Sequence, residues 1–488
     1  MKFRLICALA GLVLIFTGAP AMAGDRSGKG GGGGFDTARP AQLVPTESGV
    51  RIDPILSAGD TIGGYQMSGI PDGLGAFAQE GRHGDDEDAG PLSVLMNHEL
   101  DGTSPPGVGT RVSQLTLNPR GRTVLSASYP IDGTEGFLRF CSSNLTKVHG
   151  QPLYWTGEET TDAGSLTPDP GDGLGRGGSS IVLNAKTGDW KETRHFGLFP
   201  HENNLPVKGL ERAVVLLTED GSPTGNLSQL YAYIAPSFRK AISGSRGSLH
   251  VWRADPGQGQ DADPSTNDIQ EGETLRGRFV PISQAENADA DTLESSVQGK
   301  NAFDFVRLED AARSQTSKKA VYMADTGALD SESVRGRMYK VKLSKRDPTR
   351  ASIKVILDGD LQAGSSDPVK LVNPDNIDTS KKSIVIQEDR NSEHRDADVE
   401  GGYGRVLVYK LRTGALRAVA RVNTPANLRP GEWESSGVIN AESWLGDHKW
   451  LLDVQAHGQT ALQPGPDLVP DSSSGEDGQL LAIKIPGS

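Results

Sequence analysis

The sequence predicts an all-β protein, a six-bladed β-propeller with one loop insertion, and three observations predict it. Runs of helical period are scarce, whereas short apolar runs bounded by Gly, Asp, Asn and Pro recur along the chain. A short apolar strand, an acidic or amide-bearing turn and, after a gap, a second strand of alternating character occur together six times. Successive copies begin about 60 residues apart, a spacing that suits one several-stranded blade per copy in a ring whose closure protects the sheet edges. A pair of β-sandwich domains is the alternative, but it does not require the same strand-to-acid junction in every unit.

The elements follow in order. Lys2 and Arg4 precede an uncharged run over residues 5–16, and Ala21-Met22-Ala23 gives the small-x-small pattern of a signal-peptidase site, so residues 1–23 read as a signal peptide. The separated Lys2 and Arg4 favour the general secretory route over the twin-arginine one. The apolar run is too short to span a bilayer comfortably, and nothing later approaches the ~20 apolar residues that spanning needs. A periplasmic or secreted protein without a membrane anchor is expected. Residues 24–51, with Gly28 and the glycine run at 30–34, offer few side chains for packing and read as a flexible leader. A single propeller domain is expected over residues 52–488.

Within it, Val94-Leu95-Met96 runs into Asn97-His98-Glu99 and is followed by residues 112–117. Leu153-Tyr154-Trp155 runs into Glu158-Glu159, followed by 181–183, and residues 214–217 run into Glu219-Asp220, followed by 230–234. Val321-Tyr322-Met323 enters Asp325, followed by 338–341, and Ile384-Val385-Ile386 enters Glu388-Asp389, followed by 406–411. The last copy, Leu451-Leu452-Asp453-Val454, enters Gln455-Ala456-His457 and is followed by 480–485. A polar stretch over residues 255–301 separates the third and fourth copies and reads as an insertion on a loop.

The formal net charge is −13, and loss of Lys2 and Arg4 with the signal leaves −15. With no cluster of Lys and Arg among aromatic residues, no nucleic-acid-binding surface is expected. An acidic turn taken alone is a solvated surface feature, but if these apolar strands are the innermost ones, which run along a propeller's central channel, the same acids at the same strand end in blade after blade converge on one mouth of it. Crowded carboxylates there call for cations, and hard oxygen ligands suit Ca²⁺ and oxidised iron. Cys7 leaves with the signal, so Cys141 stands alone in the mature chain and no intramolecular disulfide forms; it is either a core thiol or a ligand. His98 and His201, each beside a Glu, read as donors to those acids or, more commonly for such residues, as packed or solvated histidines, and no serine lies in a hydrolase elbow.

A second acidic set lies ahead of several of these strands: His201-Glu202-Asn203, Arg307-Leu308-Glu309-Asp310, Asn373-Pro374-Asp375-Asn376 and Trp433-Glu434-Ser435-Ser436-Gly437. Taken in order with Asn97-His98-Glu99, Cys141, Glu158-Glu159 and Gln455-Ala456-His457, these segments resemble the PhoX-type alkaline phosphatases over nearly the whole mature chain. The resemblance implies a six-bladed propeller that holds iron (Fe³⁺) and calcium and hydrolyses phosphate monoesters. It implies iron ligation by Glu99, Cys141, Glu202 and Asp220, with Glu158, Glu159 and Glu309 on the iron or calcium side, and it gives Arg307 the substrate phosphate. Ser142-Ser143-Asn144 stand where the family has glycines, and Arg307-Leu308-Glu309-Asp310 stands for Arg-Pro-Glu-Asp, so the chain resembles a divergent branch.

The expectation is therefore an exported, monomeric, metal-dependent phosphoric monoester hydrolase acting on a small phosphate ester. The rival readings are a non-enzymatic, calcium-stabilised propeller that binds a protein or polysaccharide at its rim, and a lactonase or other metal-dependent esterase on the same fold.

Overall fold

The computed structural model describes residues 34–79, 90–102, 109–161, 171–221, 227–258, 269–329, 331–363, 368–390, 400–457 and 476–488, and the chain is all-β. The expected signal peptide lies outside the described residues. Among those described, no helix is long and apolar enough to cross a membrane.

Among the described residues, twenty-four strands form six four-stranded antiparallel meanders. The first comprises Pro71–Ala78, Leu92–His98, Arg111–Leu117 and Val124–Ile131, and the second Asn144–Val148, Gln151–Gly157, Ser180–Asn184 and Trp190–Glu192. His201–Val207, Ala213–Glu219, Leu230–Ala235 and Ser248–Ala254 make the third; Leu308–Arg313, Ala320–Asp325, Arg337–Leu343 and Arg350–Asp358 make the fourth. The fifth is built from Pro374–Thr379, Ser383–Glu388, Arg405–Lys410 and Leu416–Val422. In the sixth, Trp433–Asn440, Lys449–Ala456 and Asp477–Lys484 are completed by Arg51–Ser57 from the other end of the chain. Each meander's first strand touches the first strand of the next, and the sixth returns to the first, so the six close a circuit.

The alternation of side chains explains the packing. In Lys449–Ala456, Trp450, Leu452 and Val454 turn toward Val406 and Val408 of the fifth meander, while Leu451 joins Leu74 and Met96 of the first. Each second strand is thus covered on both faces, which is why these strands read as unbroken apolar runs: Ala213–Glu219 is buried throughout.

Three expectations need correction. The apolar strands of the repeat are the second strands of the meanders, not the innermost; the strands that meet are those just before them, whose polar residues hide them from a hydropathy reading. The leader does not extend to residue 51. Phe35 bridges Val124, and Leu43–Pro45 pairs with Leu416–Val422 at the edge of the fifth meander, because Leu43 and Val50 supply apolar surface to bury there. Nor is the stretch 255–301 a bare loop. Thr274–Pro281, in which Leu275 and Phe279 alternate inward, pairs with both Ser248–Ala254 and Arg350–Asp358. It fuses the third and fourth meanders into a nine-stranded sheet that nearly closes, since its edge strands His201–Val207 and Leu308–Arg313 lie side by side.

Candidate metal centre

Every first strand is entered through the same irregularity. Pro71 pairs with His98, His201 with Glu219, Leu308 with Asp325, Pro374 with Glu388 and Trp433 with Ala456, and a bulge follows each within a few residues. In the second meander an isolated bridge between Phe140 and Glu158 takes this place. A bulge re-aims the residues that it leaves unpaired. The residue after each first pair is an oxygen or sulfur donor: Asp72, Cys141, Glu202, Glu309, Asp375 and Glu434. The residues after their partners are Glu99, Glu159, Asp220, Thr326, Asp389 and His457.

The residue before the first pair is strained in four meanders: Ile70, Arg139, Arg307 and Asn373 have φ of +40°, +49°, +59° and +46°. Their carbonyls accept the backbone N–H of Glu99 (3.0 Å), Glu159 (2.9 Å), Thr326 (2.9 Å) and Asp389 (3.1 Å), which locks the two rings of residues together. A left-handed conformation costs a non-glycine residue on the order of 1–3 kcal/mol, and such strain gathers where geometry matters.

All of the first ring and four residues of the second line a cavity of about 270 Å³, into which eight carboxylates face together with Arg139, Arg307, Cys141, Gln455 and His457. Their donor atoms form four overlapping triads, each with its atoms within 4.8 Å of one another: Asp72, Glu99 and Cys141; Cys141, Glu159 and Glu202; Glu202, Glu309 and Asp375; and Asp375, Asp389 and Glu434. Cys141, Glu202 and Asp375 are each shared by two triads. Amide and hydroxyl donors hold the set. Gln455 Nε2 donates to Glu99 Oε2 (3.0 Å) and Asp72 Oδ2 (3.3 Å), Asn376 Nδ2 to Asp72 Oδ1 (3.2 Å), and the Ser142 N–H to Glu202 Oε1 (3.2 Å).

Burial, then repulsion by neighbouring acids, pushes five of these carboxyls up. Asp72 reaches about 7, and Glu202, Glu309, Asp375 and Glu434 rise well above the usual carboxylate range. Glu159 reaches about 8 through burial, although Arg139 opposes the shift. Burial also raises the Cys141 thiol, which donates to Glu159 Oε2 at 2.6 Å.

Eight carboxylates facing two guanidiniums cannot all ionise unless more positive charge enters, and the buried Glu309 Oε1 meets Arg307 Nη2 at 3.2 Å but accepts no hydrogen bond. Oxygen donors around one thiol fit hard cations, with the sulfur end of the chain of triads suited to iron and the all-carboxylate end to calcium.

Of the residues expected from the sequence, Glu99, Cys141, Glu159, Glu202, Glu309 and Arg307 line this cavity. Asp220 does not. Its oxygens take Arg307 Nε (2.9 Å) and Nη2 (3.0 Å), and Arg307 outweighs burial and holds the carboxyl below the usual range. Glu158 also lies outside the lining; it accepts the N–H groups of Leu138 (3.0 Å) and Ser179 (3.2 Å) and fastens the Cys141 segment to its neighbours. Arg307 contacts Glu309 as well (3.2 Å), so it is tied to two acids of the site. His98 and His201 are packed histidines that burial lowers to about 4. Sequence reasoning did not name Asp72, Asp375, Asp389, Glu434 or His457 as ligands. The last four stood in the acidic segments already noticed, whereas Asp72, between Pro71 and Gly73, carried no visible signal.

No family model matches the chain, and no curated protein does. Among solved structures it is similar to a thermostable family-43 glycoside hydrolase, with 11% identity, a TM-score of 0.34 and coverage of 73% of this chain and 96% of that one. It is also similar to a candidate 6-phosphogluconolactonase of Bacteroides fragilis, with 12% identity, a TM-score of 0.27 and coverage of 70% and 82%.

Proposed function

We propose that this chain is a six-bladed propeller whose mouth holds a polynuclear iron and calcium centre that hydrolyses phosphate monoesters, as a divergent relative of the PhoX-type phosphatases. The observation that carries this reading is the chain of four overlapping donor triads in one cavity that also contains guanidinium groups. Glu99, Cys141, Glu159 and Glu202 would hold iron, and Glu309, Asp375, Asp389 and Glu434 calcium. When bound, these ions supply the positive charge that polarises phosphoryl oxygens and acidifies an attacking water.

The chain's own residues do the rest. Arg307, fixed by Asp220 and Glu309, offers its guanidinium to the phosphoryl oxygens as charge shifts toward the leaving group. Glu159 Oε2 accepts from Cys141 Sγ, a proton that must leave as the thiol becomes a ligand. The clamped kinks at Ile70, Arg139, Arg307 and Asn373 keep the two rings from relaxing apart.

The test is metal analysis of natively purified protein with an assay on p-nitrophenyl phosphate before and after chelation. Iron and calcium in the protein, a coloured solution, and activity that falls on chelation and returns with the metals are expected. Calcium alone with no hydrolysis would replace the enzyme reading by that of a calcium-stabilised binding module.

A further inference from the structure

The repeating junction carries an arginine twice. Arg307 precedes Leu308-Glu309 in the fourth meander, and Arg139 precedes Phe140-Cys141 in the second, each at the left-handed residue just before the first pair. Both line the 270 Å³ cavity. They differ in how their guanidiniums are engaged. The Arg307 side chain is 16% exposed and bidentate to Asp220 through Nε and Nη2, whereas that of Arg139 is 41% exposed and its buried Nε has no hydrogen-bond partner. Arg139 meets Glu99 (2.8 Å) and Glu159 (2.7 Å) through Nη2 alone. It also stands where the central cavity adjoins one of about 180 Å³, whose wall combines Ile70, Leu100 and His457 with the acids Glu99, Asp101 and Glu476.

We infer that Arg139 is a second substrate-binding guanidinium, which grips a phosphoryl oxygen on the side where the organic part of the ester enters the smaller cavity. This rests on the phosphate-ester reading and extends it, since it makes the site one that holds phosphate between two arginines from different meanders. A guanidinium steadied at one edge and free at another is suited to take an incoming oxyanion, because its fork keeps the remaining donors in a fixed plane. By the same geometry Arg307 is the more structural of the two.

The test uses the metal-loaded full chain with inorganic phosphate as the probe, measuring its dissociation constant by calorimetry and its inhibition of p-nitrophenyl phosphate hydrolysis. Arg139→Ala is expected to weaken phosphate about 10- to 100-fold, as loss of a charge-assisted hydrogen bond does, with iron and calcium content unchanged; Arg139→Lys should recover part of the loss. If wild-type protein binds and hydrolyses while metal-replete Arg139→Ala binds phosphate equally well, the inference falls and the phosphatase reading stands. Loss of metal in both variants would make Arg139 a holder of Glu99 and Glu159 instead, which also overturns it. A metal-loaded wild type that neither binds phosphate nor hydrolyses the ester removes both readings together.

Discussion

Five of the six first strands carry an acid at their start, two of these carry another farther along, and the two levels differ in how their acids are engaged. At the strand starts, Asp72, Glu202, Glu309, Asp375 and Glu434 face one another across a cavity. A few residues on, a second cavity of about 440 Å³ is lined by Asp310, Asp378 and Arg313. There Asp310 accepts the N–H groups of Ile377 (2.8 Å) and Ala311 (2.7 Å) as well as the Asn203 side chain. Asp378 accepts those of Asn440 (2.7 Å) and Thr379 (2.7 Å), and Arg313 donates to the carbonyls of Leu145 (3.1 Å) and Pro206 (3.2 Å). These are stitches between neighbouring first strands. Burial raises acids at both levels, Asp310 to about 8 and Asp378 to about 6, so a perturbed carboxyl does not by itself mark the functional end. The partners separate the two. At the second level the acids take backbone amides of their own and neighbouring strands, whereas at the strand starts Asp72, Glu202, Glu309 and Asp375 crowd other donors within the triads, the arrangement that the proposed cation centre would use.

The sharpest way to break this contrast is at Glu202, which two triads share. Glu202→Gln keeps the shape but removes a charge from the middle of the donor chain. Metal should leave more than one site, and turnover should fall by about 10³-fold, the upper end for loss of one preorganised electrostatic partner. Metal analysis beside steady-state kinetics checks this; full metal occupancy would mean that the triads do not act as one centre.

A smaller effect follows from titration. In metal-free protein, carboxyls such as Asp72 and Glu159 bind protons in the folded chain up to about 7 and 8 but release them near 4 when unfolded. The folded state then holds more protons, so stability falls as pH rises through that window, by about 1.4 kcal/mol per pH unit for each such group. Metals bind the ionised form and reverse the trend. The gap in melting temperature between loaded and chelated protein should therefore widen from about pH 5 to about pH 8, while Asp310 and Asp378, alike in both forms, drop out of the difference. A gap independent of pH would sink the idea that cations neutralise the mouth.

Much of the second ring was legible in the sequence, because an apolar second strand covered on both faces ends abruptly at Glu99, Glu159, Asp220, Asp389 and His457. The first ring was harder to read. Its strands begin with bulges and carry polar residues such as Ser142, Asn203, Asn376 and Ser436, so neither alternation nor an apolar run announces them. Glu202 and Glu309 were implied as ligands only by the family resemblance, Asp375 and Glu434 stood out only as acidic segments, and Asp72 not at all. Glu158 and Asp220 show the reverse error: the acids are adjacent to the site in sequence, but one is engaged by amides and the other by Arg307, and no spacing rule reveals a partner. Arg139 was passed over because its equivalence to Arg307 lies in strand register, which appears only once the pairs are known.

The smallest expected effect tests the other side of the comparison. Asp378→Ala removes the acceptor of the Asn440 and Thr379 amides and so cuts a stitch between the fifth and sixth first strands. An amide left without a partner costs about 1–3 kcal/mol when water cannot reach it. Here Asn440 itself borders the 440 Å³ cavity, so water can replace the carboxylate and the loss should sit near 1 kcal/mol. Iron and calcium content and the affinity for phosphate should stay within about twofold of wild type, since Asp378 belongs to no triad. Thermal melting, metal analysis and phosphate calorimetry on one preparation separate the outcomes. A modest drop in melting temperature with the centre intact supports a division of labour along each first strand, whereas metal loss like that of Glu202→Gln would show that the stitches and the ligand rings form a single cooperative unit.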